Sequence, residues 1–348
     1  MAPAFPSTRR AAAFGATLVF LLTLPITMHW IGGTSKEAAY RGISERAGAF
    51  DSFRRQIFEE RSDVDILFCG SSLMGNAMDV PYVGRELSRA LGRPANVISL
   101  RQSWQGPDMN YFVARDLMEQ RRVKLLVIAA PAWVHRSSQP HVQLFRVIRY
   151  GDHPGALDGL ALRERLAVYA DYVLGAPRQA LSLLRPNPID PKTGVAIQGE
   201  PPVGYLGRPF VRRQVVVPAI PPASMVYSGE SRDLFRFDGP PLNLYQLHFL
   251  RKTGELAQQH GALLVILHMP SPSERGSKVP DRQLMPEVLG AGAAFAGVPS
   301  ARMFENVPDA QFEDYFQDEH LGLNGAELFT GLITPVLIQL YEQYSPAR

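Results

Sequence analysis

Val64-Asp65-Ile66-Leu67-Phe68-Cys69-Gly70-Ser71-Ser72 is the stretch that decides the fold. A short apolar run stops at a glycine and two serines, as a strand buried on both faces does when it hands over to a helix. Three further runs repeat the pattern, at 95–100, at 123–130 before Pro131, and at 262–267 before His268-Met269-Pro270. Helical stretches lie between them, including 107–120 and 244–260. Near-continuous apolar strands alternating with helices predict an α/β domain, three layers with helices on both faces of a parallel sheet. Functional loops then belong at the carboxyl ends of the strands: residues 70–72, 101–106, 131–133 and 268–272.

Outward from this frame the rhythm changes. Residues 35–60 read as an amphipathic, charged helical segment, within a linker at 32–61 that leads into a domain at 62–345. Residues 135–240 carry Arg-rich helical pieces and then a Pro-rich run, so they read as an insertion, a lid or a docking surface. No internal repeat is present.

The N-terminus has its own logic. Arg9 and Arg10 precede a stretch, 11–30, without a single charge. Twenty residues at 1.5 Å rise cover about 30 Å, the thickness of a bilayer's hydrocarbon core. A single transmembrane helix at 11–31 follows, with residues 1–10 cytoplasmic by the positive-inside rule and Trp30 at the outer interface. The soluble part would face the periplasm or the cell exterior. A cleaved signal peptide is the alternative, although 27–31 lacks a clean small-x-small site. Both export the domain.

Composition narrows the function. Lys+Arg number 36 against Asp+Glu 33, a net charge of +3 with no basic run interleaved with aromatics, which argues against nucleic acid as a partner. One cysteine, Cys69, excludes an internal disulfide and a metal site built on Cys pairs. It reads as a buried, inert strand residue.

Two segments carry chemistry. Ser72 follows a strand at a turn that offers exposure and free backbone amides, which a serine nucleophile needs together with a base. Taken alone, Gly-Ser-Ser equally describes a helix N-cap. The C-terminal run Phe316-Gln317-Asp318-Glu319-His320-Leu321-Gly322-Leu323-Asn324-Gly325-Ala326-Glu327 supplies the base. Asn324 and Glu327 suggest a capping box opening a last helix at 325–344, with His320 held just before it among acids that could orient its ring.

Together these residues resemble the SGNH (GDSL-type) hydrolase and acyltransferase superfamily. The segment ending in Gly70-Ser71-Ser72 looks like its first block, which gives Ser72 the nucleophile position, with Ser71 where the family has Asp. Asp318-Glu319-His320-Leu321-Gly322-Leu323-Asn324-Gly325-Ala326 looks like its last block, which makes His320 the general base. Gly106 matches the second-block glycine, its N–H joining that of Ser72 in an oxyanion hole. Two departures stand out. Ala130-Pro131-Ala132-Trp133 lacks the third-block Asn and is similar instead to DltD-like proteins of cell-envelope polymer acylation. The acid, three residues before the histidine in the family, is Gln317 here; Asp318 takes the role, with Asp314 as fallback.

The resemblance implies an O-acyltransferase or esterase of cell-envelope or exported polysaccharide that uses no cofactor and no metal. Its partners would be an acyl donor, a glycan or polyol acceptor and a membrane-bound O-acyltransferase. Asn76, Trp133 and Arg101 are candidate substrate-pocket residues. His135 and His268 carry less weight, the latter as part of a turn. The alternative is a non-catalytic accessory protein that binds glycan or the acyltransferase.

Overall fold

The computed structural model describes residues 6–30, 36–41, 44–45, 48–49, 52–101, 105–130, 140–141, 144–148, 160–170, 215–227, 235–239, 243–272, 279–282, 292–298 and 300–344. The chain divides into two compact units, Met1–Arg54 with Val142–Gly199, and Arg55–His141 with Glu200–Arg348. Residues 142–199 group with the N-terminal segment, and 200–240 return to the second unit.

The first unit begins with helix α1 (Thr8–Trp30), along which Phe14, Val19, Phe20, Leu21 and Leu22 are exposed. Among the described residues, the helical segment expected at 35–60 is broken into Lys36–Arg41, a small hairpin of Ser44–Glu45 with Gly48–Ala49, and the helical stretches Ser52–Arg54 and Arg55–Glu59. Arg54 returns to Glu37 through an ion pair of 2.8 Å.

The second unit holds the sheet: β1 (Val64–Gly70), β2 (Val97–Arg101), β3 (Val123–Ala129), β4 (Leu263–His268) and β5 (Ala294–Gly297). The order is β2-β1-β3-β4-β5, and all neighbours run parallel. This is a doubly wound order, with its switch point between β1 and β3, where adjacent connections leave in opposite directions and open a crevice at the carboxyl edge. β1 is buried along its whole length, which explains its lack of polar alternation.

Helices cover both faces. On one lie α2 (Ser72–Ala77), α3 (Val80–Leu91) and the C-terminal helix (Leu323–Gln343), where Met74, Val83, Leu87, Phe329 and Ile333 pack with Ile66, Phe68, Val127 and Val265. Leu67, Cys69, Leu126 and Ile128 alternate to the other face. That face carries α4 (Pro107–Met118) and α5 (Leu244–Gln259), whose Phe112 and Phe249 rings lie 5.5 Å apart. Cys69 is fully buried and burial pushes its thiol up, so it is unreactive.

The C-terminal helix, α6, is long and apolar enough to cross a membrane, and among the described residues it alone meets both criteria. Two thirds of its apolar window is buried, so it serves as the core helix of the domain rather than a span. It is fixed to the amino end of the sheet by Asp65, which accepts hydrogen bonds from Tyr341 (2.5 Å), Arg93 (2.6 Å) and the Asn96 N–H (2.7 Å). Burial opposes ionisation of Asp65, but these donors outweigh it and hold the carboxyl below its ordinary range. Burial first, and then the bond to Asp65, pushes the Tyr341 hydroxyl up to about 12.

Candidate active site

The turn after β1 is shaped by a glycine. A β-carbon on Gly70 would lie 2.9 Å from Met74 Cβ and 3.2 Å from Ala129 Cβ, so α2 can cross this closely only over a residue without a side chain. The two serines then divide the labour. Ser71 is the N-cap of α2, its Oγ accepting from the Leu73 N–H at 3.3 Å. Ser72, the first helical residue and half-buried, is released from capping.

The opposing side chain arrives on a hairpin. β6 (Phe316–Gln317) and β7 (His320–Leu321) pair antiparallel, Gln317 directly opposite His320, through the two-residue turn Asp318-Glu319. Asp318 adopts φ +55°, a left-handed conformation that Asp tolerates better than most residues. The hairpin is clamped to α6. Gly322 N–H donates to Tyr315 C=O at 2.8 Å, and that carbonyl occupies the space a side chain on Gly325 would need.

These two constructions meet. Ser72 Oγ lies 2.8 Å from His320 Nε2 across 248 residues of chain. With the imidazole protonated on Nδ1, Nε2 accepts the serine proton, the geometry required of a general base. Thr330 of α6, fully buried, keeps the pieces in register. Its hydroxyl donates to Ala77 C=O at the end of α2 (2.9 Å) and accepts from the Asp79 N–H (3.1 Å), so the helix that begins at Ser72 and the helix that follows His320 share one bonded junction.

The expected acid is not brought in. Asp318 and Asp314 are both exposed, and neither joins His320 through a hydrogen bond or ion pair. The physical reason is the turn: two residues suffice to close β6 on β7, which leaves Asp318 at the tip rather than beside the ring. Nor does the capping box form. α6 begins earlier, at Leu323, with Gly322 as N-cap and no side-chain cap, while Glu327 is buried.

The remaining candidates are spread around this pair. Gly106 is the N-cap of α4, following β2, the immediate neighbour of β1, so both helix starts open at the same sheet edge. That start is fixed by Asp108, whose buried carboxylate accepts from Met109 N–H (2.7 Å), His141 N–H (2.9 Å) and Tyr245 O–H (2.9 Å). Arg101 ends β2 opposite Gly70 and is buried, its guanidinium lying over Gly75 of α2. Asn76 is half-buried one turn after Ser72, on the same helix face. His268 ends β4 against Gly297 of β5. Trp133 and His135 lie outside the described residues.

Beside the His320 hairpin a cleft of about 560 Å³ is lined by Asp314, Phe316, Gln317, Gly322, Leu323 and Asn324. Neither Asn76 nor Arg101 is among its lining residues. Gly75 and Thr330 went unnoticed in the sequence, and Gly325 was read only as part of the motif and the helix start. The glycines stand three residues after Ser72 and five after His320, and a glycine early in a helix is the signal that something crosses close to it. Thr330 has no comparable signature.

Among the described residues no group of three or more His, Cys, Asp or Glu side chains is arranged to hold a metal ion. No protein-family model matches the chain, and no curated protein matches it either.

Proposed function

We propose that the protein is a serine acyl-transfer enzyme of the SGNH type, a membrane-anchored O-acyltransferase or esterase acting on cell-envelope or exported polysaccharide outside the cytoplasm. One observation carries the reading: Ser72 Oγ and His320 Nε2 stand at 2.8 Å, at the carboxyl edge of a parallel doubly wound sheet. Tertiary packing, not local chain geometry, brings these two side chains together. α1, with its exposed apolar residues and the Arg9-Arg10 flank, supports anchoring.

The chemistry runs in two halves. Ser72 Oγ attacks the acyl carbonyl of the donor while His320 Nε2 takes its proton. The N–H groups of Ser72 and Gly106 would receive the developing oxyanion, and the protonated imidazole then passes the proton to the leaving alcohol. The acyl-enzyme is resolved by an acceptor hydroxyl or by water, His320 again acting as base. Anchoring raises the effective concentration of a donor delivered through a membrane-bound O-acyltransferase partner.

Labelling with a fluorophosphonate probe tests the nucleophile. Wild-type protein is expected to label, and Ser72→Ala and His320→Ala to lose at least a hundredfold in rate. Failure of the wild type to label beside a reactive control esterase would remove the enzymatic reading. Product analysis then separates hydrolysis, which yields free acid, from transfer, which yields a modified glycan. A second reading, a non-catalytic accessory protein, is favoured by Asp318, which stands at the hairpin tip and does not hold the imidazole.

A further inference from the structure

Resolution of an acyl-enzyme places a demand on the surroundings of His320. Once Ser72 Oγ is esterified, His320 Nε2 is the base already within reach, and the acceptor O–H must arrive beside it. The cleft described above opens beside the hairpin that carries His320, and its lining includes Gln317 and Gly322, which flank His320 in sequence. Gln317 stands directly opposite His320 in the β6–β7 pair, so their side chains share one face of the hairpin, with Cβ atoms about 5 Å apart. Gly322, Leu323 and Asn324 follow His320 by only two to four residues and line the same cleft.

The lining is uncommitted. Asp314 and Gln317 are exposed and Asn324 is half-buried, and among the described residues none of the three side chains takes part in a hydrogen bond or ion pair. They surround an aliphatic platform, Leu323 at 71% exposure, with the half-buried Phe316 ring nearby. Carboxamides and a carboxylate offer both donors and acceptors in fixed planes, and the apolar patch suits a C–H face. That combination complements a neutral polyhydroxyl compound. Among the described residues the lining has one carboxylate and no cation, which disfavours a phosphate-rich polyanion.

We infer that this cleft is the acceptor subsite and that it takes a neutral carbohydrate or polyol hydroxyl. The inference rests on the Ser72–His320 acyl-transfer reading above. In the step it serves, the acceptor oxygen forms a bond to the acyl carbon as the bond to Ser72 Oγ breaks. The acceptor proton passes to His320 Nε2 and from there to the departing Ser72 Oγ, so the enzyme is regenerated.

The test uses the full chain in detergent micelles with p-nitrophenyl acetate as donor and cellotetraose, glycerol or poly(glycerol phosphate) as acceptor probes. The p-nitrophenol burst reports acylation, and acetylated acceptor is followed by mass spectrometry. Cellotetraose or glycerol is expected to accelerate turnover with saturation, and the two arms distinguish a sugar acceptor from a simple polyol. In Gln317→Ala and Asn324→Ala the half-saturating acceptor concentration should rise at least tenfold more than any change in the burst. An unchanged half-saturating concentration overturns the subsite. So does preferential transfer to poly(glycerol phosphate). A burst that none of the three probes accelerates also overturns it, and leaves the Ser72–His320 reading standing. Absence of any burst removes that reading, and the subsite with it.

Discussion

The guanidinium of Arg101 occupies the space in which any side chain on Gly75 would stand. The two residues come from neighbouring segments at the sheet edge, and Gly75 lies in the same short helix as Ser72. Gly75→Ala must push aside a buried arginine, and overpacking of this kind costs about 1–3 kcal/mol. Urea unfolding should show that loss. In the Gly75→Ala background Arg101→Ala should cost less than it does alone, and strict additivity would show that the two do not compete for space.

Gly325 faces a harder obstacle. A β-carbon there meets the Tyr315 backbone carbonyl and Leu321 Cδ2, so the hairpin rather than a flexible side chain must yield. Because His320 rides on that hairpin, Gly325→Ala should slow fluorophosphonate labelling of Ser72 about a hundredfold, the effect of misplacement by roughly 1 Å. Circular dichroism should stay close to wild type. A wild-type labelling rate in a folded variant would show that the clamp does not set the position of His320.

Thr330 predicts a stability effect with a built-in control. Thr330→Val keeps the shape but strands the buried Asp79 N–H and Ala77 C=O, at a cost of about 1–3 kcal/mol. Thr330→Ser retains the hydroxyl and should recover most of the loss. Equal destabilisation by both would mean that packing, not the hydrogen bonds, holds the junction.

Tyr341 and Asp65 give the domain two pH limits. The Tyr341 pKa rises from an ordinary 10.0 to about 12 on folding, so its contribution is present below pH 10 and disappears as pH climbs from 10 to 12. Asp65 behaves oppositely: its carboxyl is held below 3.8, so its contribution is present above that value and fades as pH falls beneath it. Unfolding midpoints should therefore decline at both extremes. Tyr341→Phe should flatten the alkaline decline, and an unaltered alkaline limb would place its origin elsewhere.

Much of the fold was legible because strand burial is written directly into apolar runs. β1, β3 and β4 end within one residue of the ends of their runs, and β2 begins two residues after its run. β5 escaped notice: Ala294-Phe295-Ala296-Gly297 is short and small-sided, and it pairs only because β4 offers a free edge. The helix α6 starts two residues before its predicted start, because the Gly322 N–H finds its partner in Tyr315 rather than in a side-chain cap. At the site, the pairing of Ser72 with His320 was legible because each residue sits in a distinctive local pattern. The acid was not, since whether a carboxylate beside a histidine reaches its ring depends on turn geometry that sequence proximity does not encode. Arg101 was read as a pocket residue, and the structure has it buried across α2.

The 248-residue interval between Ser72 and His320 has a consequence for when chemistry begins. A chain emerging from the ribosome presents Ser72 long before the hairpin and α6 exist, and during that interval the hydroxyl is as inert as any other alcohol. Under the proposed acyl-transfer reading, reactivity would switch on only when the last helix docks and the hairpin clamped to it brings the imidazole into place. Completion of folding and arming of Ser72 would then be one event, and an unfinished copy would have no base with which to attack its neighbours.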